Sequence, residues 1–206
     1  MIKAIIFDID GTILDTEQVI LKSLQSILKT ELQKDYDLEY LRFVLGIPGE
    51  DALKQLNIPN VSVINQKWSQ LMMDFSHEVN LFDGLKDIIE ALSRQGFKLG
   101  IVTSKTNQEL KDEFEPFGLN HYFEQIITAC DTLRHKPHPD PLQTCLQKMK
   151  VSSHEAIYIG DSKYDMQCAN SANVKFALAL WGSRTTSGFE SATYILKHPK
   201  DILELI

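Results

Sequence analysis

Short apolar, β-branched runs alternate with amphipathic, helix-length stretches through most of this chain, and that alternation restricts its fold more than any other feature. One run opens at Lys3; others lie at Phe97–Val102, Phe123–Ala129, Ala156–Ile159 and Lys175–Leu180. Strands separated by helices require right-handed crossovers, so the pattern predicts a mainly parallel sheet with helices on both faces. This is a doubly wound α/β fold with a Rossmann-like core. In such sheets ligands sit beyond the carboxyl ends of the strands, near the switch in strand order. Polar residues fall at those ends: Asp8 and Asp10, then Thr103 and Ser104, then Asp161 and Asp165.

The first of these clusters, Asp8-Ile9-Asp10-Gly11-Thr12, ends its strand abruptly. Alternation along a strand places Asp8 and Asp10 on one side, crowded at the carboxyl end. Two carboxylates so close repel each other unless a cation lies between them or one is protonated. Gly11 then permits a tight turn. Such a cluster spends stability on chemistry and marks the candidate active site.

Between the first strand and the rest of the sheet the pattern is helical. A stripe of Val19, Ile20, Leu24, Ile27 and Leu28 predicts a helix from Thr16 to about Lys34. Helical patterning resumes over Leu38–Val44, breaks at Gly46-Ile-Pro-Gly49, and continues through Ala52, Leu53 and Leu56. After Asn57-Ile-Pro-Asn60 a long helix carries Val63, Ile64, Trp68, Leu71, Met72 and Phe75, and no strand is expected from 16 to 80. The expected organisation is therefore an α/β core of residues 1–15 and 81–206 with an all-helical cap, 16–80, inserted over the site. Farther on, Asp83 reads as an N-cap, Gly96 as a helix stop, and Thr106 with Glu109 as a capping box for a helix stopping near Gly118. Asp140-Pro141 suits an N-cap and first helical position. A helix to about Ala172 and a weak strand–helix tail from Tyr194 complete the pattern.

Composition sets outer bounds. The 206 residues suffice for one core with a smaller insert, and 43% apolar with 24% charged content is ordinary for a globular protein. A net charge of −7 without a Lys/Arg-rich run argues against a nucleic-acid surface. No apolar run approaches membrane-spanning length, and no signal peptide is visible. Cys130, Cys145 and Cys168, odd in number and without Cys-x-x-Cys spacing, read as reduced, mostly buried thiols of a cytoplasmic protein.

Taken in order, Asp8-Ile-Asp10-Gly-Thr12, the strand-terminal Thr103-Ser104, Lys136 before prolines, and Gly160-Asp161 with Asp165 match a four-motif layout. The chain resembles the haloacid dehalogenase-like hydrolase superfamily, and most of all its phosphoglycolate phosphatase-like members with a helical cap. The resemblance covers nearly the whole chain, the cap in position only. It implies that Asp8 is the nucleophile forming an aspartyl-phosphate, and that Asp10 protonates the leaving oxygen and later deprotonates water. It implies a Mg2+ held by Asp8, the Asp10 carbonyl and Asp161, with Asp165 behind them or acting through water. Gly11, Thr103, Ser104 and Lys136 would bind the transferring phosphoryl group, Lys136 supplying charge and the Thr103 hydroxyl and Ser104 amide supplying donors. The expected partner is a small phosphorylated metabolite.

Each motif has a commoner structural origin when met alone: a turn, a cap, a solvated lysine. Their joint order is what points to a site. A sugar phosphomutase of the same superfamily is the alternative enzyme, but such enzymes tend to place a His shortly after the Asp-Thr pair and an Arg just past the cap glycine. Here Glu17, Gln18, Val19 and Ile20 follow Thr16, and Ile47, Pro48, Gly49 and Glu50 follow Gly46. A dehalogenase would carry a different residue at Asp10. An aspartate-phosphorylated signalling receiver shares the sheet and acidic cluster, but has no need for an insert of about 65 residues after its first strand. His135 and His138 read as loop residues, Met72, Met73 and Phe75 as cap core, and Arg42 and Lys54 as solvated cations. Trp181 fits the site's edge or a packed core equally.

Overall fold

The computed structural model describes residues 1–206. In chain order its elements are β1 (Ala4–Phe7), β2 (Leu14–Asp15), α1 (Glu17–Leu32), α2 (Leu38–Leu41), α3 (Gly49–Gln55), α4 (Val61–Asp74), β3 (Asn80–Leu81), α5 (Leu85–Arg94) and β4 (Lys98–Val102). There follow α6 (Asn107–Glu109), β5 (Gln125–Ile127), α7 (Asp140–Met149), β6 (Ala156–Gly160), α8 (Lys163–Ser171), β7 (Lys175–Ala179), α9 (Leu180–Ser183) and β8 (Tyr194–Leu196). A six-stranded sheet runs in the order β5-β4-β1-β6-β7-β8, and every adjacent pair is parallel. The doubly wound α/β expectation holds.

Period-2 alternation explains why both sheet faces are covered. Ile5 and Phe7 of β1, with Ile157 and Ile159 of β6, join the α5 residues Leu85, Ile88, Ile89 and Leu92 in one apolar cluster. Ala4, Ile6, Ala156 and Tyr158 face the other way, onto Leu142, Cys145 and Met149 of α7 and Met166 and Ala169 of α8. The chain leaves β1 for β4 and β5 on one side, then returns to β6 on the other. The carboxyl ends of β4, β1 and β6 therefore lie side by side at the switch in strand order.

Helices α1 to α4 build a third, separate cluster around Leu24, Leu28, Leu41, Leu53, Ile64 and Trp68. Within it the Trp68 indole donates to Ser23 Oγ at 2.9 Å, so its buried N–H has a partner. Two-residue strands β2 and β3 pair antiparallel, Leu14 with Leu81 and Asp15 with Asn80. They tie together the segments that lead into and out of the helices. Asn80 thus lies in a strand where none was expected; two residues are too few to show alternation, and the pairing is set by neighbours far apart in sequence.

Several element ends differ from expectation. Gly84, with φ +78°, caps α5 in place of Asp83, because the amide of Leu85 bonds the Phe82 carbonyl and tightens the entry. At α7 Pro139 is the N-cap, while Asp140 enters the first turn and accepts from Arg134 Nε at 3.0 Å. The Thr106–Glu109 capping box is formed, but the helix widens to π geometry over Leu110–Phe114, then narrows to a 3-10 turn ending at Gly118. Cys145 and Cys168 are buried, and burial pushes both thiols up to about 12. Cys130 is exposed. No helix is long and apolar enough to cross a membrane.

Candidate active site

Strand β1 stops at Phe7, so Asp8 and Asp10 stand on a loop and not on the pleat itself. Amides of Thr12, Ile13 and Leu14 all reach the Ile9 carbonyl, at 3.2, 2.8 and 2.9 Å, and wind the loop around that oxygen. Asp8 is buried at the root of the loop, whereas Asp10 is half-buried on its rim. Gly11 takes φ +71°, and a Cβ there would lie 2.3 Å from Asp161 Oδ2. Glycine is thus required both by the turn and by the approach of the loop to β6's end. The Trp181 indole donates to the Thr12 carbonyl at 3.0 Å and props the same loop, while its ring packs against the core and lines neither site cavity.

Beneath Asp8 lies a closed polar network. Lys136 Nζ is 3.0 Å from Asp8 Oδ1 and 2.8 Å from Asp165 Oδ1, all three side chains being almost fully buried. The Tyr158 hydroxyl is 2.8 Å from the same Asp165 oxygen and 3.0 Å from the Val102 carbonyl. Asp165 Oδ2 accepts from the Ser162 amide and hydroxyl, at 3.1 and 2.5 Å, as half of a capping box that starts α8. Asp165 therefore has no lone pair in want of a donor. Burial alone would drive the Lys136 ammonium towards neutrality; Asp165 and Asp8 outweigh it and hold the proton.

The carboxylates show the opposite balance. Burial pushes Asp8 up to about 7, opposed by Lys136 and reinforced by Asp165 and Asp10. Burial, then Asp165 and Asp8, push Asp161 well above its ordinary value, with Lys136 and the Thr12 hydroxyl (3.2 Å) in opposition. Oxygens of Asp8, Asp161 and Asp165 come within 4.8 Å of one another. One lysine faces the buried Asp8 and Asp165 and the half-buried Asp161, so a divalent cation fits this oxygen-only donor set and would offset the repulsion. Since Asp165 is taken up by Lys136, Tyr158 and Ser162, the oxygens of Asp8 and Asp161 are the ones left to hold it.

Asp8, Asp10 and Ser104 open together onto a cavity of about 60 Å³, whose far wall is formed by Ile20, Trp68 and Met72 from the helices. Asp10, Gly11 and Asp161 line a neighbouring recess. Thr103 is buried at the end of β4, where its hydroxyl accepts the Lys105 amide at 3.2 Å, and it lines neither space. The Ser104 hydroxyl turns away to donate to the Gly46 carbonyl at 2.9 Å. Gly46 itself has φ +90°, and a Cβ would sit 2.5 Å from Ser162 Oγ, so the helical segment crosses directly over the strand ends.

Sequence reasoning missed Lys105, Tyr158 and Glu113. Lys105 is buried between Asp10 Oδ1 (2.9 Å) and Glu113 Oε2 (2.5 Å). Its position directly after Thr103-Ser104 was the available signal; Glu113 lies on the π segment and carried none. Arg42, expected to be solvated, is paired with the buried Glu17 at 2.6 Å, because the segment after α2 folds back over the start of α1. Lys54 is exposed as expected and pairs with Asp51.

Carboxylates at the ends of β1 and β6, with Lys136 beneath Asp8 and Lys105 just after β4, make a set of groups chemically suited to phosphoryl transfer. Residues 5–179 match the family model of haloacid dehalogenase-like hydrolases. The Bacillus pumilus pyrophosphatase PpaX is 29% identical, over 100% of this chain and 96% of its own length. A crystal structure from Lactobacillus plantarum, provisionally named a phosphoglycolate phosphatase, superposes with a TM-score of 0.91 at 30% identity, covering 100% of both chains. The Streptococcus pneumoniae haloacid dehalogenase-like hydrolase SP0104 gives 0.84 at 25% identity, over 99% of this chain and 98% of its own. The chain belongs to the haloacid dehalogenase-like hydrolase family, and it is an enzyme of the phosphatase kind within it.

Proposed function

We propose that the enzyme is a magnesium-dependent phosphatase that hydrolyses a small phosphorylated metabolite through an aspartyl-phosphate on Asp8. The observation that carries this reading is Asp8 itself: a buried carboxylate at the end of a central strand, ion-paired with Lys136 and open to a cavity. In the first step an Asp8 oxygen bonds to phosphorus as the bond to the leaving oxygen breaks. Asp10, on the rim of the same cavity, gives that oxygen a proton. In the second, water attacks the acyl phosphate and Asp10 takes up its proton. The Asp8–phosphorus bond then breaks, releasing inorganic phosphate.

Lys136 holds a fixed positive charge against Asp8, while the Ser104 amide and Gly11 backbone border the space for phosphoryl oxygens. Thr103 contributes by holding the Lys105 amide, which shapes the loop after β4. Asp8, the Asp10 carbonyl and Asp161 would hold Mg2+, which when bound neutralises the approach of an anionic phosphoryl group to a carboxylate. Asp165 keeps Lys136 in place from behind. Residues 16–80 act as a cap over this centre. Ser69 Oγ reaches Glu109 Oε1 at 3.2 Å and the Tyr164 hydroxyl reaches the Phe43 carbonyl at 3.3 Å, two contacts that seat the helices on the sheet.

Purified protein assayed with p-nitrophenyl phosphate tests the proposal. Phosphate release that requires Mg2+ and is lost in Asp8→Asn is the expected result. Release that persists in Asp8→Asn, or that ignores metal removal, would overturn it.

A further inference from the structure

The chamber that would receive the leaving group has an uneven charge. Its only cation is Lys105, and that ammonium is already held by Asp10 at 2.9 Å and Glu113 at 2.5 Å, with a side chain 5% exposed. Glu109 adds a further carboxylate to the wall. An adjoining space of about 180 Å³ shares Met72 and Glu113 with it and brings Asp112, with His77 as its one basic side chain. Of the arginines nearest the loop, Arg42 is paired with Glu17 at 2.6 Å and lines a separate recess, while Arg184 lies 3.8 Å from the same carboxylate and lines the neighbouring recess with Asp10, Gly11 and Asp161, outside the chamber. Lys136 lies beneath Asp8, on the phosphoryl side.

An anionic leaving group entering this chamber would meet carboxylates in excess on its wall, and no cation there that is not already paired. A hydroxyl or ammonium group would instead find acceptors. Asn65 stands on the same wall, able to orient a small polar group. We infer that the chamber selects monophosphate esters of small alcohols bearing hydroxyl or ammonium donors and no second anionic group. This rests on the phosphatase reading above, and it separates the enzyme from what its relatives' names suggest. Phosphoglycolate releases glycolate and pyrophosphate releases phosphate, both anions.

Steady-state kinetics with Mg2+ on 2-hydroxyethyl phosphate, phosphoethanolamine, 2-phosphoglycolate and pyrophosphate test the inference, with p-nitrophenyl phosphate as the control for the chemistry. The first two should exceed the last two in kcat/KM by at least about tenfold, equivalent to ~1.4 kcal/mol of discrimination. In Glu113→Gln the ratio of phosphoglycolate to hydroxyethyl phosphate turnover should rise at least about threefold, because one repelling charge is gone and Lys105 is partly freed. Both rates come from the same preparation, so a loss of folded protein cancels from the ratio. A smaller preference in the wild-type enzyme, a preference for the anions, or an unchanged ratio in Glu113→Gln overturns the inference while aryl phosphate turnover leaves the phosphatase reading standing. No turnover of any ester, p-nitrophenyl phosphate included, overturns both.

Discussion

Replacing Asp165 with asparagine tests whether the buried network beneath Asp8 positions the lysine or merely fills space. Four donors converge on this carboxylate: Lys136 Nζ at 2.8 Å, the Tyr158 hydroxyl at 2.8 Å, and the Ser162 amide and hydroxyl at 3.1 and 2.5 Å. An amide of the same shape offers one acceptor oxygen, and its NH2 must point either at Lys136 and Tyr158 or at Ser162. At least one buried donor loses its acceptor, the Tyr158 hydroxyl retaining the Val102 carbonyl, and Lys136 keeps a single counter-charge, Asp8 at 3.0 Å. Breaking a buried pair costs about 3 to 5 kcal/mol, and since Asp8 remains we expect the lower end, ~3 kcal/mol. For a chain of this length that lowers the melting temperature by about 6 to 12 °C. Lys136 should also drift towards Asp8, and a displacement of about 1 Å at such a centre lowers kcat on the order of 100-fold. Circular-dichroism melts and aryl phosphatase kinetics measure the two effects. A variant melting within about 2 °C of wild type, with kcat within about threefold, would refute the reasoning.

Metal binding should be coupled to protons. Burial places Asp8 at about 7 in the metal-free fold against 3.8 in an unperturbed aspartate, so the folded chain binds that proton more tightly than the unfolded one. Its contribution to stability is full below about pH 4 and is lost as pH rises towards 7; a bound cation reverses the loss. Calorimetric titration of Mg2+ in two buffers of different ionisation heat should show proton release below pH 7 and tighter binding as pH increases to 8, and pH-independent binding would contradict it. Gly11→Ala should cost about 1 to 2 kcal/mol from its left-handed φ of +71° and push Asp161 from its place, weakening metal affinity in the same titration. Ser104→Ala removes the bond to the Gly46 carbonyl that holds the helices over the strand ends. Losing ~1 kcal/mol there should raise KM by about fivefold and lower the melting temperature by only about 2 to 4 °C, which steady-state assays and thermal melts can check.

Much of the site was legible because each of its motifs is local. A strand, a turn and a helix start are encoded within a dozen residues, and the sheet's topology sets their ends side by side whatever the detailed packing. Asp8, Asp10 and Gly11, Thr103 and Ser104, and Asp161 could be placed at strand ends from patterning alone. Element ends were less legible where a hydrogen bond to a neighbour shifted the start, as at Gly84 and Pro139.

Only the tertiary structure decided what surrounds those residues. Tyr158 reads in the sequence as one more apolar position of β6, yet its hydroxyl joins Asp165 to the Val102 carbonyl. Glu113 lies on a segment whose π geometry no periodicity announces, and it meets Lys105 only once the chain has folded. The two-residue strands β2 and β3 exist because residues 14–15 and 80–81 are brought together from either side of the helices. The physical reason is the range of the interactions. Hydrophobic periodicity and turn chemistry act between near neighbours and leave a mark in the sequence, whereas the pairing of buried charges is settled by groups whose separation along the chain carries no pattern. The parallel sheet and the acidic strand ends were written in the sequence; the charge balance of the chamber above them was set by the fold.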